Sequence, residues 1–177
     1  MSVYVESNIQ IDFTRAFKVV KYEGLLAGLP GASLTQRNTF WPGVDFHVEE
    51  TPSDAIWLEI KSWNPASIPP KDRGGSRWSF LCKMKSNRFA QEMREKFLGT
   101  SSFFVWDNRP FPSRIRFLLL FEPPQSMDAA LILTFGQKVK SQLMPPKALT
   151  WRNRIDVGAL TLTEWNLRFP DYPAVAT

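Results

Sequence analysis

The sequence predicts one mixed α/β domain, with a central mixed β-sheet flanked by helices. Segments with helical spacing of apolar residues alternate with short β-rich runs, and clusters of proline and glycine separate them. The chain has 177 residues, 44% of them hydrophobic and 22% charged, so it is long enough for one hydrophobic core. No repeat or composition break divides it. We therefore expect a single domain over 1–177, with a core at about 11–122 and a helix-and-strand extension at 126–177.

The first predicted element is an amphipathic helix over 11–26. Asp12 can cap its N-terminus, and the Gly-Leu-Pro-Gly sequence at 28–31 ends it. Its apolar side chains fall at helical spacing: Phe13, Phe17 and Val20.

A β-hairpin is predicted next, from two β-rich runs at 39–49 and 55–63. The Pro-Ser-Asp sequence at 52–54 favours a turn between the two runs. Because this hairpin has the clearest local signals in the chain, we expect it to be the best defined element.

The middle of the chain is predicted to be an exposed connection followed by a helix. Prolines and glycines are too frequent at 64–76 for regular structure. A helix follows at 86–98, and Gly99 is a natural stop. One stripe along this helix is largely apolar: Phe89, Met93, Lys96 and Phe97.

Three elements complete the prediction. The compact apolar run at 114–121 is typical of a central strand. Ser126 can cap a helix over 126–143, which two prolines terminate, and a last strand is predicted at 155–162.

Composition excludes several kinds of site. The chain has one cysteine, Cys82, and one histidine, His47. It therefore has no internal disulfide, no cysteine-based zinc cluster and no multi-histidine metal site. No apolar run is long enough for a membrane span and no secretory signal is present, so we expect a soluble, cytoplasmic protein. The net charge of +5 favours a polyanionic partner or, equally, an inert basic surface.

The hairpin carries the residues that suggest chemistry. Side chains alternate along a strand, so Glu59 and Lys61 project from one face while Leu58 and Ile60 point to the opposite, core-facing side. Asp45 lies on the partner run and can reach the face of Glu59. Two carboxylates beside one lysine are costly to hold together unless a ligand uses them.

Divalent cations fit this grouping. Magnesium prefers carboxylate, carbonyl and water oxygens, and one or two carboxylates plus a substrate phosphate is its usual protein complement. Asp45, Glu59 and the backbone carbonyl of Ile60 supply such oxygens for Mg²⁺ or Mn²⁺. Lys61 can orient the attacking water and offset charge that develops on phosphorus. The alternative is an ion pair on a solvated strand face, which contributes at most about 1 kcal/mol.

The Asp on one strand and the Glu-Ile-Lys on the next resemble the PD-(D/E)xK nuclease superfamily, the restriction-endonuclease-like fold. The resemblance extends over the motif and the element order from about 12 to 121. It implies that Asp45 and Glu59 hold the metal and that Lys61 serves the nucleophilic water. It also implies an auxiliary acidic residue on the first helix, for which Glu23 and Glu6 are candidates.

Function follows from the resemblance as an expectation. It implies a metal-dependent nuclease, with DNA as the expected substrate and a homodimer as a possible form. Two positions depart from the family pattern: Val44 stands where a proline is usual, and Gln91 is followed by Glu95 where RecB-like exonucleases carry tyrosine. A non-catalytic module that keeps the fold and binds nucleic acid or protein is the alternative.

Further residues have both a functional and a structural interpretation. His47 shares the strand parity of Asp45 and is either an auxiliary ligand or a structural hydrogen-bonding residue. Trp57 and Trp63 either stack on bases or, as we expect, pack under a helix. A set of basic residues after the hairpin can line an approach for a phosphate backbone or simply be solvated: Lys71, Arg73, Arg77, Lys83 and Lys85, with Arg88 beyond. Aromatic and basic residues in the tail from 151 to 172 suggest a second nucleic-acid surface or a dimer contact.

Overall fold

A computed structural model describes residues 2–22, 42–63, 68–122, 129–143 and 154–177. Over these segments the chain is a mixed α/β structure with two β-sheets and four α-helices. None of the helices in the described segments is long and apolar enough to cross a membrane.

Within the described segments, eight strands form the two sheets. In chain order they are β1 Val3–Glu6, β2 Ile9–Asp12, β3 Lys18–Lys21, β4 Phe46–Glu49, β5 Asp54–Ser62, β6 Arg114–Glu122, β7 Ile155–Thr161 and β8 Ala174–Ala176. The larger sheet has the order β3-β4-β5-β6-β7, antiparallel from β3 to β5 and parallel from β5 to β7. The smaller sheet, β1-β2-β8, is antiparallel throughout.

The helices supply the connections that parallel strands require. Helices α1 (Arg73–Lys85) and α2 (Asn87–Trp106) lie between β5 and β6 in the chain. Helix α3 (Ala129–Leu143) lies between β6 and β7, and the short helix α4 (Leu162–Arg168) follows β7.

Each face of the larger sheet is covered by its own core. On one face, Trp57 and Phe117 pack with Phe97 of α2 and Phe135 of α3. The opposite face packs on the smaller sheet and α4, through residues such as Phe46, Leu58, Ile11 and Trp165. Strand β5 is therefore buried on both sides, and a polar residue on it lies inside the protein rather than at a solvated face.

The hairpin and the later elements confirm the sequence predictions, except that β4 begins at Phe46, so 42–45 of the run predicted at 39–49 are a loop that carries Asp45, and 39–41 lie outside the described residues. Strands β4 and β5 pair antiparallel, with Phe46 opposite Leu58. Strands β6 and β7 occupy the predicted positions within one residue, and α3 ends at Leu143 as predicted. The predicted cap, Ser126, lies outside the described residues.

The prediction of a first helix is wrong for residues 11–21, which form strands and a turn, whereas Tyr22 is helical. Ile9, Ile11 and Phe13 are all buried, a period of two that belongs to a strand. Ser7 and Asn8 have positive φ angles of 50° and 62° and make the tight turn between β1 and β2. Asp12 caps only a local turn, through a 2.8 Å hydrogen bond from the Thr14 amide. The rest of the predicted helix, 23–26, its stop at 28–31 and Glu23 lie outside the described residues.

Two predicted boundaries in the middle of the chain are also wrong. Part of the predicted loop at 64–76 is a 3₁₀ turn, Pro70–Asp72, followed by the start of α1, which includes Gly74 and Gly75. Residues 64–67 lie outside the described part. Helix α2 begins after its Ser86 cap as predicted but continues through Gly99 to Trp106. Gly99 is needed for space, since a Cβ there would lie 2.0 Å from the Pro42 carbonyl oxygen.

The tail forms core structure that the sequence did not predict. Thr161 and Glu164 make a reciprocal capping box that starts α4 directly after β7. Strand β8 then pairs with β2. Trp165 is fully buried and its indole donates a 2.6 Å hydrogen bond to the Tyr172 carbonyl oxygen. These two aromatic residues therefore hold the fold together instead of forming a binding surface.

Candidate active site

Asp45 is positioned by the loop that enters β4. The Ile60 backbone amide donates a 2.7 Å hydrogen bond to Asp45 Oδ2, which fixes the carboxylate beside β5. The Val44 amide donates to Thr100 Oγ1 of α2 at 3.2 Å. Together with the close approach of Pro42 to Gly99, this bond fastens the loop to α2. The position of Asp45 thus depends on the packing of α2 as well as on the hairpin.

Glu59 and Lys61 lie on the α2-facing side of β5, as the alternation of strand side chains predicts. Glu59 has 0% of its surface exposed, whereas the side chain of Lys61 is 24% exposed. Lys61 Nζ lies 2.5 Å from Glu59 Oε1. The alternative of an ion pair on a solvated face is wrong, because α2 covers this face and removes Glu59 from water.

Lys96 of α2 is a site residue that sequence reasoning missed. Its Nζ lies 2.6 Å from Glu59 Oε1, donates a 2.8 Å hydrogen bond to Glu59 Oε2, and is 3.9 Å from Asp45 Oδ1. The sequence feature that could have predicted its role is its place on the stripe of α2 that otherwise holds Phe89, Met93 and Phe97. A cation on a core-facing stripe requires a buried acidic partner, which here is Glu59.

A second acidic residue of α2 extends the charge network outward. Glu92 is one helical turn from Lys96, so the two project from the same face. Its carboxylate lies 3.7 Å from Lys61 Nζ and 3.1 Å from Lys83 Nζ. The chain of contacts therefore runs from the buried Glu59 through Lys61 and Glu92 to Lys83 on α1.

Burial sets the electrostatics of the site. Loss of water, with the neighbouring Glu59 carboxylate adding to it, raises the pKa of Asp45 to about 7. Burial alone would lower the pKa of Lys61, but the contacts with Glu59, Asp45 and Glu92 outweigh it and raise that pKa above its ordinary value. Lys61 is therefore a stable ammonium group, while Asp45 exchanges a proton near neutral pH.

Two carboxylates of the site, those of Asp45 and Glu59, are of the ligand type that hard divalent cations bind. Glu59 Oε1 is buried and, although two ammonium groups are close, neither makes a hydrogen bond of acceptable geometry with it. Glu59 is fully buried and Asp45 is partly buried, and the ammonium groups of Lys61 and Lys96 offset the repulsion between the two carboxylates. Within the described residues no group of three or more His, Cys, Asp or Glu side chains could hold a metal. The protein thus offers two carboxylates, and substrate and water oxygens complete such a site.

A cavity of about 220 Å³ opens beside Asp45. Lys96, Glu6 and Lys21 line it together with Asp45, and Glu6 is paired with Lys21 at 2.9 Å. Its charged lining suits an ionic ligand such as a phosphate with its counter-ion. Glu6 reaches this cavity from β1, not from a first helix.

The chain matches no protein-family model, no curated protein sequence and no solved structure.

The predicted nucleic-acid-binding residues lie on α1 and the turn before it. Within α1, all of which the structure describes, Met84 alone is buried. The helix has four basic and no acidic residues, and its basic side chains lie at the surface: Arg73, Arg77, Lys83 and Lys85. Lys71 is exposed in the preceding turn. Lys83 contacts the site network through Glu92, and the others extend a basic surface away from it.

The structure separates the remaining candidates from the site. His47 Nδ1 accepts a 3.0 Å hydrogen bond from the Trp57 indole, and its Nε2 lies 3.2 Å from Glu49 Oε1. Burial lowers the pKa of His47, so the ring is neutral. Trp57 packs against α2, as predicted. Cys82 is exposed, and the prediction that Ile60 adds a carbonyl ligand stays a prediction.

Proposed function

We propose that this protein is a divalent-metal-dependent nuclease that hydrolyses phosphodiester bonds, with DNA as the expected substrate. The observation that carries the proposal is the convergence of Asp45, Glu59 and Lys61 at the end of one rigid hairpin, with Glu59 fully buried. The order of hairpin, helix and strand implied by the PD-(D/E)xK resemblance is present over 46–122. These two features support the proposal independently of composition.

Each residue of the candidate site has a separate role in the proposed reaction. Asp45 and Glu59 would hold Mg²⁺ or Mn²⁺, which supplies Lewis acidity and lowers the pKa of bound water. Lys61, a stable ammonium, orients water and stabilises charge that develops on the phosphate oxygens. Lys96 holds Glu59 in place and presents a second cation to the cavity beside Asp45. The basic surface of α1 positions the nucleic-acid backbone.

One observation favours a second candidate, a non-catalytic nucleic-acid-binding module. Lys61 and Lys96 already offset the charge of Glu59 without a metal. In such a module the same network would serve only to stabilise the junction of β5 and α2, and binding would depend on the exposed cations of α1.

Cleavage assays test the proposal. Linear, circular and single-stranded DNA would be incubated with the protein in Mg²⁺ or Mn²⁺, against an EDTA control. Lys61→Ala should lower the rate at least about 100-fold, because it removes a group that stabilises developing charge. Lys140→Ala, an equal change of charge on the exposed side of α3, should cleave like the wild type.

Two results would contradict the proposal. One is cleavage by Lys61→Ala at the wild-type rate. The other is no metal-dependent cleavage of any substrate, combined with no Mg²⁺ or Mn²⁺ uptake by calorimetry, while salt-dependent DNA binding persists. The second result would establish the binding module in its place.

A further inference from the structure

A second cavity borders the candidate active site at the residues that follow Lys61. It has a volume of about 460 Å³, and Ser62, Trp63, Ser76, Ser79, Phe80 and Lys83 are among its lining residues. The β1–β2 turn separates it from the cavity beside Asp45, since Glu6 lines the first and Ser7 and Asn8 line the second. We call this second cavity the Trp63 groove.

The two cavities differ in chemistry. Four of the eight described residues that line the cavity beside Asp45 are charged, two acidic and two basic, and the rest include the Tyr22 ring. The described lining of the Trp63 groove has two aromatic rings, several hydroxyls, one amide and one cation, and no acidic residue. An aromatic wall with neutral hydrogen-bonding groups matches a nucleobase, which has a flat apolar face and polar edges.

Two hydrogen bonds hold Trp63 against β6 and α1. The Trp63 amide donates a 3.1 Å hydrogen bond to the Glu122 carbonyl oxygen of β6, which extends the sheet ladder by one residue. The Trp63 indole donates to Ser76 Oγ of α1 at 3.3 Å. The ring is therefore oriented before any ligand arrives, which lowers the entropic cost of stacking.

Lys83 connects the groove with the site. It lines the groove and lies 3.1 Å from Glu92, which in turn lies 3.7 Å from Lys61. A phosphate near Lys61 would thus have Lys83 close to the neighbouring nucleotide.

We propose that the Trp63 groove binds an unpaired nucleobase next to the scissile phosphate, so that the substrate class is single-stranded or locally unpaired DNA. This inference rests on the proposed nuclease function. In a duplex the faces of the bases are stacked on one another, so an aromatic wall can reach a base face only when the nucleotide leaves the helix.

Binding without metal tests the groove separately from catalysis. Fluorescence anisotropy in EDTA would compare a single-stranded oligonucleotide with a blunt duplex of the same sequence. The wild type should prefer the single strand. Trp63→Leu should weaken single-strand binding about ten-fold and leave duplex binding unchanged. Trp78→Leu is the matched control, because Trp78 is a 67% exposed aromatic of α1 outside the groove lining.

A second variant and a second fluorescence measurement distinguish loss of the groove from misfolding of Trp63→Leu. Ser79→Leu narrows the groove from the exposed face of α1 and keeps Trp63, and it should remove the same preference. The fluorescence of 2-aminopurine within the single strand should fall on binding to the wild type and not on binding to Trp63→Leu.

The outcomes separate the two proposals. Equal binding of single strand and duplex by the wild type, or equal effects of Trp63→Leu and Trp78→Leu, would overturn the groove inference whatever the cleavage result. A Trp63-dependent preference, with neither cleavage in Mg²⁺ or Mn²⁺ nor uptake of either ion by calorimetry, would sustain the groove and overturn the nuclease. Cleavage of single strand and duplex at equal rates would sustain the nuclease and overturn the groove inference.

Discussion

Two buried polar residues of the same hairpin, His47 on β4 and Glu59 on β5, have opposite surroundings. His47 is 2% exposed, and both ring nitrogens have polar partners, the Trp57 indole and the Glu49 carboxylate. Glu59 is 0% exposed and lies within 2.8 Å of two ammonium groups, with Asp45 close by. His47 is therefore neutral and hydrogen-bonded at both ring nitrogens, whereas Glu59 is surrounded by charged side chains.

The difference shows which of the two residues is a functional candidate. A neutral group with hydrogen bonds on both sides adds to stability and needs no ligand. A buried carboxylate next to a second carboxylate is costly to hold in the free protein, even when two ammonium groups offset its charge. Such a cost is common at functional sites, where a ligand offsets it. Sequence position alone made both residues candidates.

The largest effect is expected for Glu59→Gln. The variant keeps the shape of the side chain but removes the charge that holds Lys61 and Lys96. We expect cleavage to fall more than about 100-fold and the free energy of unfolding to fall by about 3 kcal/mol, since two cations lose their partner. Cleavage assays and urea unfolding measure the two effects. Retained cleavage would remove Glu59 from the site.

His47→Ala should affect stability alone. It leaves the buried Trp57 indole without its acceptor and creates a cavity, so we expect the free energy of unfolding to fall by about 2–3 kcal/mol. The cleavage rate per folded molecule should stay at the wild-type level. A loss of metal affinity in calorimetry would instead assign His47 an auxiliary ligand role.

Gly99→Ala tests how the site depends on α2. The new Cβ would contact the Pro42 carbonyl oxygen and displace the loop that carries Asp45. We expect cleavage to fall about ten-fold and stability to fall by about 1–3 kcal/mol. Gly74→Ala in α1 is the control: no atom lies within 4 Å of its added Cβ, so the helix should gain about 0.5–1 kcal/mol. Equal activities of the two variants would contradict this dependence.

Asp45 and His47 should make the free energy of unfolding depend on pH with opposite signs. Burial raises the pKa of Asp45 to about 7, so its contribution to stability is present below about pH 4 and is lost as pH rises through 7. In EDTA, Asp45→Asn should therefore become more stable than the wild type by at least about 1 kcal/mol at pH 8, and be similar to it at pH 4.

His47 has the opposite sign. Burial lowers its pKa, so the unfolded chain binds the proton more readily and stability falls as pH drops below about 6.5. His47→Gln should lose this part of the acid sensitivity. Urea unfolding between pH 5 and pH 8 measures the slope, and an unchanged slope in the variant would show that other groups cause it.

Local signals were sufficient for the pairing of the hairpin and for the strand face of its candidate site residues, Glu59 and Lys61. The Pro-Ser-Asp turn and the period of two predicted β4 and β5, and alternation alone placed Glu59 and Lys61 together. The first helix was predicted wrongly because the residues after Asp12 also show helical spacing, and the outcome depends on pairing of β2 with the distant β8. Lys96 was missed because its contact with Glu59 spans 37 residues and follows from how α2 packs on the sheet.

The pairing of β2 with β8 joins two parts of the chain that are far apart in sequence. Ile9 lies opposite Ala176, so the smaller sheet stays incomplete until 174–176 have left the ribosome. The β1–β2 turn that borders both cavities belongs to that sheet. The hairpin is therefore synthesised before the β1–β2 turn can gain its full support, since that support comes from strands at both ends of the described fold.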